Sequence, residues 1–226
     1  MKNLIVLIPT LNPTRKLLEV IENLEKNNLT DIVIVNDGSD IEHKKIFKEI
    51  NHTILTHRKN SGKGKALKTG FAYIEENYKD YRGILTIDDD GQHDIESILK
   101  LVDSFVPTEN YTIIGTRDFD KKGVPILRKK ANKLSAYIFK KLYKVYIPDT
   151  QTGLRIYSKK AVDLIKNLKS DGFEFELEAL IYLIKHQMDF QFEFINTIYN
   201  KEKGMSHFKP LKDSIRIYKI MFSNKK

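Results

Sequence analysis

A layered α/β fold, with a mostly parallel central sheet flanked by helices on both faces, is predicted by three features of the sequence. Short runs of β-branched residues and leucine recur at residues 4–8, 31–35, 53–56 and 83–87, each of strand length. Longer stretches with helical spacing separate them, and such alternation is the signature of βαβ units. The 226 residues, 41% of them hydrophobic, are enough to fill one large core.

The first strand runs into Pro9. Asn12-Pro13 caps and opens a helix reaching about residue 27, a second helix follows Asp40, and a third follows Gly62 and Gly64. In an open sheet of this kind ligands sit beyond the carboxyl ends of the strands, so residues 9–12, 36–40 and 88–93 are where chemistry is expected. After about residue 111 the alternation weakens. A strand at 111–115, a long basic helix, a strand at 155–157 leading to a helix capped by Ser158, a helical stretch at 172–186 and an alternating strand at 190–198 follow. No repeat, low-complexity tract or Ser/Gly linker interrupts the chain, so residues 1–226 read as one domain with halves meeting near residues 110 and 111.

Composition removes several classes. With no cysteine there are no disulfides, zinc-thiolate sites, iron-sulfur clusters or thiol nucleophiles. No stretch approaches the roughly 20 apolar residues that a membrane span requires, and the N-terminal apolar run lacks a cleavage site. The net charge of +9 is uneven. Nine basic residues and no acid lie between 121 and 147, residues 201–226 carry a net +6, and the remaining chain must therefore total −6. In the first window Leu127, Ala131, Leu134, Ile138, Leu142 and Tyr146 form an apolar helix face opposite a lysine-rich one, and Leu211, Ile215, Tyr218 and Phe222 repeat the pattern. Basic amphipathic helices suit an anionic membrane surface, where each Lys or Arg contributes about 1 kcal/mol. A single such face is as readily a solvated one, and the pairing of two favours a functional surface.

The segment Asp88-Asp89-Asp90-Gly91-Gln92-His93 ends an apolar strand with three carboxylates in a row. In extended backbone Asp88 and Asp90 face one site while Asp89 faces elsewhere. Acids packed this closely repel unless a cation offsets them. Hard oxygen donors suggest Mg²⁺ or Mn²⁺ held by Asp88, Asp90 and the Gln92 amide, with a substrate diphosphate completing the shell. A lone acidic triplet is ordinarily a solvated turn; this one follows a buried strand and precedes Gly-Gln-His.

With these residues in view, the chain resembles a family 2 glycosyltransferase of the GT-A fold, and within it the dolichyl-phosphate mannose synthase-like, polyprenyl-phosphate branch. Ile8-Pro9-Thr10-Leu11-Asn12 resembles the family's first nucleotide loop, and Asn36-Asp37-Gly38-Ser39 its Asp-Gly-Ser segment. The run Asn60 to Ala66, with Gly70, resembles the glycine-containing opening of its third helix, and residues 88–93 its metal signature. In the second half, Gly115-Thr116-Arg117, Arg128 and the run Asp149 to Arg155 resemble the branch's acceptor segments. Residues 172–178 resemble its helix signature, and residues 201–207 its late phosphate loop. Three departures stand out: Pro13 replaces the usual Glu, Asp40 follows Ser39 directly rather than two residues on, and Lys201 replaces an Arg.

The resemblance implies an inverting, metal-dependent transfer from a UDP- or GDP-sugar. Pro9, Thr10, Asn12, Asp37, Lys65, Asp88 and Asp89 would hold the nucleotide sugar, joined by Lys201, Ser206 and His207 from the late loop. With a polyprenyl phosphate acceptor, already ionised near neutral pH, no base is needed. Arg117, Arg128 and Arg155, with Thr152, would bind its phosphate, since guanidinium groups grip phosphate bidentately. Such an enzyme is expected in the cytoplasm at the inner membrane face, docked directly or through a membrane-protein partner.

Two other readings remain open. A hydroxyl acceptor on a glycan or soluble molecule would need a general base, for which Asp149, Glu176 and Glu178 are candidates. The basic surface also permits nucleic-acid binding, but no recognisable module is present, so no nucleic-acid partner is expected.

Overall fold

The computed structural model describes residues 3–107, 111–119, 126–196 and 219–222. One seven-stranded sheet runs through it in the order β3-β2-β1-β4-β6-β5-β7. The strands are β1 (Leu4–Thr10), β2 (Ile32–Asn36), β3 (Thr53–Thr56), β4 (Gly83–Thr86), β5 (Tyr111–Arg117), β6 (Arg155–Ser158) and β7 (Asp189–Ile195). All neighbours are parallel except that β6 runs antiparallel to both β4 and β5.

Side-chain alternation along the central strands divides the core. Leu4, Val6 and Ile8 of β1, with Ile32 and Ile34 of β2, face helices α1 (Arg15–Lys26) and α3 (Ile95–Ser104). Ile5, Leu7, Val33 and Val35 face α2 (Lys63–Asn77), α5 (Lys159–Ile165) and α6 (Phe175–Lys185). Burial on both faces explains why these strands read as continuous apolar runs. A smaller cluster joins α6 to α4 (Ile126–Tyr143) through Phe139, Leu180 and Met221.

Three local expectations are corrected. Thr14, not Asn12, caps α1: its hydroxyl accepts from the Lys16 N–H, while Asn12 at φ 51° turns aside to pair with Asp40. The segment after Asp40 is a 3-10 helix, His43–Glu49, rather than an α-helix. On α4 the buried residues include Ser135, Ala136 and Phe139, with Ile138 and Leu142 partly buried beside them, whereas Leu134 is exposed, as is Tyr146 beyond the helix end. The helix meets the body of the fold through a stripe that keeps Ile138 and Leu142 of the expected face and is rotated to leave Leu134 outside it. Among the described residues no helix is long and apolar enough to cross a membrane.

The sheet order places the chemistry. From β1 the chain moves outward to β2 and β3, then returns to put β4 on the other side of β1. Connections leave in opposite directions at this switch point, so a crevice opens beyond the carboxyl ends of β1 and β4.

Candidate active site

Four segments line that crevice. Thr10, the last residue of β1, donates its hydroxyl to the carboxylate of Asp89. Asp90 Oδ1 accepts the Gln92 backbone N–H at 3.0 Å. Asp88 turns to Lys63, whose ammonium lies 2.7 Å from Oδ1, and to His93, whose Nε2 lies 3.8 Å from Oδ2. The three neighbouring carboxylates thus meet three different partners. The expected shared face of Asp88 and Asp90 assumed extended backbone, but β4 ends at Thr86 and the chain turns through Gly91 at φ 67°.

Lys63 is the first residue of α2, and the loop before it is tightly held. The carboxylate of Asp37 accepts the N–H groups of Ser61 and Gly62 at 2.9 and 2.7 Å and contacts His57 Nδ1 at 2.7 Å. Gly62 sits at φ 103°, where a side chain would be strained and would also strike the Asp171 carbonyl. The next N–H groups, of Gly64 and Lys65, bond the carbonyls of Gly172 and Asp171. The start of α2 is thereby fixed, and the Lys63 side chain runs inward to bridge Asp88 and Glu176, 3.1 Å from Glu176 Oε1.

The loop between α4 and β6 closes the other side. Arg117 binds Asp149 through Nε at 2.6 Å and Nη2 at 2.9 Å, a bidentate pair with the carboxylate fully buried. Four residues on, Gly153 lies so close to Asp88 that an added Cβ would overlap the carboxylate. Arg155 is fully buried, and its guanidinium donates to the backbone oxygens of Thr152, Glu176 and Thr150 and to the Tyr157 hydroxyl.

The electrostatics follow. Burial works against charge on Asp88, but Lys63 and His93 together outweigh it and hold the carboxyl below the usual carboxylate range. Burial likewise opposes the Lys63 charge, yet Asp88 and Glu176 raise its pKa. Burial pushes Asp89 up to about 7, with the Thr10 hydroxyl pulling against it and the Asp88 and Asp90 charges adding to it. Burial also raises Glu176, against the pull of Lys63 and Arg155. Among the described residues four carboxyl groups, Asp88, Asp89, Asp90 and Glu176, stand against the cations Lys63 and Arg155, and three of the four have their pKa raised, so this corner is short of positive charge.

Residues 5–165 match the description Glycosyl transferase family 2. The chain belongs to this family. Its relatives include the UDP-N-acetylglucosamine–dolichyl-phosphate N-acetylglucosaminyltransferase of Methanococcus voltae, 29% identical over 88% of this chain and 87% of that one. The dolichyl-phosphate beta-glucosyltransferase of Saccharomyces cerevisiae is 28% identical over 82% of this chain and 64% of its own length. Among solved structures, glucosyl-3-phosphoglycerate synthase of Mycobacterium tuberculosis, crystallised with Mn²⁺, UDP and glucosyl-3-phosphoglycerate, superposes with a TM-score of 0.72. It covers 99% of this chain and 80% of its own, at 15% identity, and shows the GT-A fold.

In this family 2 glycosyltransferase the sequence-expected residues separate into groups. Thr10, Asp88, Asp89, Asp90 and Gln92 come together at the crevice, while Pro9 is buried within β1 and Asn12, just past the strand, pairs with Ser39 and Asp40. Asp37, buried, has three of its roughly four acceptor positions used to hold the α2 loop. Lys65 is exposed on α2, lining an outer groove with Lys68, Thr69 and Tyr73, and Lys63 is the lysine that meets the acidic turn. Arg155 and Thr152 are corrected as acceptor contacts: both are buried, and the arginine clamps the loop from inside. Arg117 keeps a partly exposed side chain over Phe119. The side chain of Arg128, on α4, and the residues Lys201, Ser206 and His207 lie outside the described residues.

The donor set fits a divalent ion. Asp88, Asp90 and Gln92 offer hard oxygens, and the Lys63 ammonium on Asp88 shows that this carboxylate takes a cation. No group of three His, Asp or Glu side chains converges as a full metal cage among the described residues. Mg²⁺ and Mn²⁺ sites that share substrate phosphates need no such cage.

Proposed function

We propose that this glycosyltransferase is metal-dependent and inverting, and moves a sugar from a UDP- or GDP-sugar to a polyprenyl phosphate at a membrane surface. The observation that carries the reading is the charge deficit at the switch point. A nucleotide diphosphate is repelled by this cluster of four carboxyl groups unless a cation comes with it. Bound by Asp88, Asp90 and Gln92, Mg²⁺ or Mn²⁺ would neutralise the charge that develops on the departing diphosphate. Residues 1–110 form the nucleotide half and 111–226 the acceptor half.

The chain's own residues supply the rest. Thr10 and Asp89 tie the β1 loop to the acidic turn, and Asp37 shapes the pocket for the nucleoside. The fixed start of α2 forms a second wall. Arg117, held in orientation by Asp149, presents a guanidinium plane to an acceptor phosphate.

The acceptor follows from the candidate bases. Asp149 is locked by Arg117 and its carboxyl is held below the usual range, Glu176 is bridged by Lys63, and Glu178 accepts the Ser170 N–H at 3.0 Å. All three are committed to structure, which suits a nucleophile that arrives already ionised. The dolichyl-phosphate transferases among the relatives point the same way. On α4 the exposed side mixes Ile126, Leu134 and Tyr137 with Lys130, Lys140 and Lys141, a composition suited to an anionic membrane surface.

The test incubates purified protein with radiolabelled UDP- and GDP-sugars, Mn²⁺ or Mg²⁺, and short polyprenyl phosphates. Metal-dependent label in the organic phase, lost in Asp90→Ala, is expected. Label transferred only to water-soluble acceptors would refute the lipid acceptor, and undiminished transfer after chelation would refute the metal.

A further inference from the structure

Lys63 occupies a peculiar position. Its ammonium is 2.7 Å from Asp88 Oδ1 and 3.1 Å from Glu176 Oε1, and the side chain is 14% exposed. The backbone beneath it cannot shift easily, because the N–H groups around it are bonded to Asp37, Gly172 and Asp171. Asp88 is equally confined: Gly153 packs directly against its carboxylate. The ammonium and an incoming divalent ion therefore compete for the same carboxylate.

We propose that Lys63 is a tethered counter-ion that keeps a divalent ion off Asp88 until a nucleotide diphosphate arrives, so that metal and nucleotide bind as one unit. The proposal rests on the metal reading above and adds a residue to it. Without nucleotide, a metal at Asp88 would face the positive charge of Lys63 at close range and displace its best partner. Glu176 provides the second resting place, since the ammonium already touches it and side-chain rotation alone moves the charge from one carboxylate to the other. A bound diphosphate adds negative charge beside Lys63, which offsets the repulsion and releases Asp88. By linkage, nucleotide tightens metal and metal tightens nucleotide by the same factor.

The measurement is Mn²⁺ affinity of the full chain, read from the spin-resonance signal of free Mn²⁺, with and without saturating UDP. Wild-type protein is expected to bind Mn²⁺ weakly alone and about 10-fold or more tightly with UDP. Lys63→Met is expected to bind Mn²⁺ alone about 10-fold more tightly than wild type, with the UDP enhancement reduced to match. That variant strands Glu176, so Lys63→Met/Glu176→Gln, which removes both charges, is measured in parallel with thermal melts and is expected to behave likewise. Glu176→Gln alone removes the second resting place and is expected to weaken Mn²⁺ binding. Equal Mn²⁺ affinities across these proteins, with UDP-dependent binding intact, would overturn the role of Lys63 and leave the metal site standing. No Mn²⁺ binding by any of them, even with UDP, would overturn the metal reading itself.

Discussion

The hydroxyl of Thr10 at the end of β1 and the carboxylate of Asp89 beyond β4 are joined by a hydrogen bond across the switch point of the sheet. It ties the end of β1 to the acidic turn. Thr10→Val keeps the shape and removes the donor, leaving a part-buried carboxylate short of a partner. A loss of about 2 kcal/mol in urea unfolding is expected, with Thr10→Ser largely retaining stability. Equal midpoints for wild type and valine variant would show that Asp89 is held by other groups.

Gly153 is where the loop before β6 touches Asp88, and a Cβ there would overlap that carboxylate. Because β6 begins only two residues later in the middle of the sheet, the loop cannot simply retreat. In Gly153→Ala the carboxylate must move instead. Mn²⁺ affinity in the presence of UDP is expected to fall about 10- to 100-fold while the melting temperature changes little. Unaltered metal affinity would mean that Asp88 is not a ligand.

What the sequence revealed and what it hid divide along a physical line. The acidic turn is legible because its residues are consecutive and follow a run too apolar to be anything but a buried strand. Lys63 is not, because the motif holds two lysines, and positions two apart on a helix point about 200° apart around its axis. Which one faces Asp88 depends on where α2 begins, and that is set by Asp37 and Gly62 together with carbonyls more than a hundred residues away. Arg155 misleads for a related reason. It follows a polar loop, yet it opens a strand that lies between β4 and β5, where antiparallel insertion buries it completely. Local pattern carries no information about such an insertion.

The buried pair of Arg117 and Asp149 predicts a pH dependence. Burial opposes ionisation of Asp149, but Arg117 outweighs it and the carboxyl titrates below its ordinary value in the folded state. A lowered folded pKa gives stability that is present above the ordinary carboxylate pKa and is lost as pH falls through the folded one. Asp149→Asn is therefore expected to cost about 3 kcal/mol at pH 7, and the gap from wild type to narrow below about pH 4. Urea midpoints measured from pH 7 to pH 3 decide it; a constant gap would exclude the ionised pair as the source of the loss.

Arg155 separates a structural arginine from an acceptor-binding one. Its four hydrogen bonds lie in the plane of one guanidinium and reach three segments of chain, a geometry that a lysine ammonium cannot reproduce. Arg155→Lys is expected to destabilise the fold by about 3 kcal/mol or more. At a temperature where the variant stays folded, KM for the acceptor should be close to that of wild type. A large rise in acceptor KM with unchanged stability would return Arg155 to the binding site.

The exposed side of α4 offers the sharpest test of the membrane assignment, because electrostatic and apolar contributions can be separated on one helix. Ile126, Leu134 and Tyr137 are 72%, 53% and 62% exposed, and Lys130 and Lys141 flank the latter two on the same stripe. If the stripe lies on anionic lipid, each lysine contributes about 1 kcal/mol that salt screens, while the apolar residues contribute a part that salt does not. Replacing Lys130, Lys140 and Lys141 by glutamine should thus weaken binding to phosphatidylserine-containing vesicles about 100-fold at low salt, and far less at high salt. Leu134→Ser/Tyr137→Ser should weaken binding at both. Transfer to a short, water-soluble acceptor serves as the control for an intact catalytic centre. Vesicle binding that is insensitive to all five substitutions would place the membrane contact elsewhere and leave α4 an ordinary solvated helix.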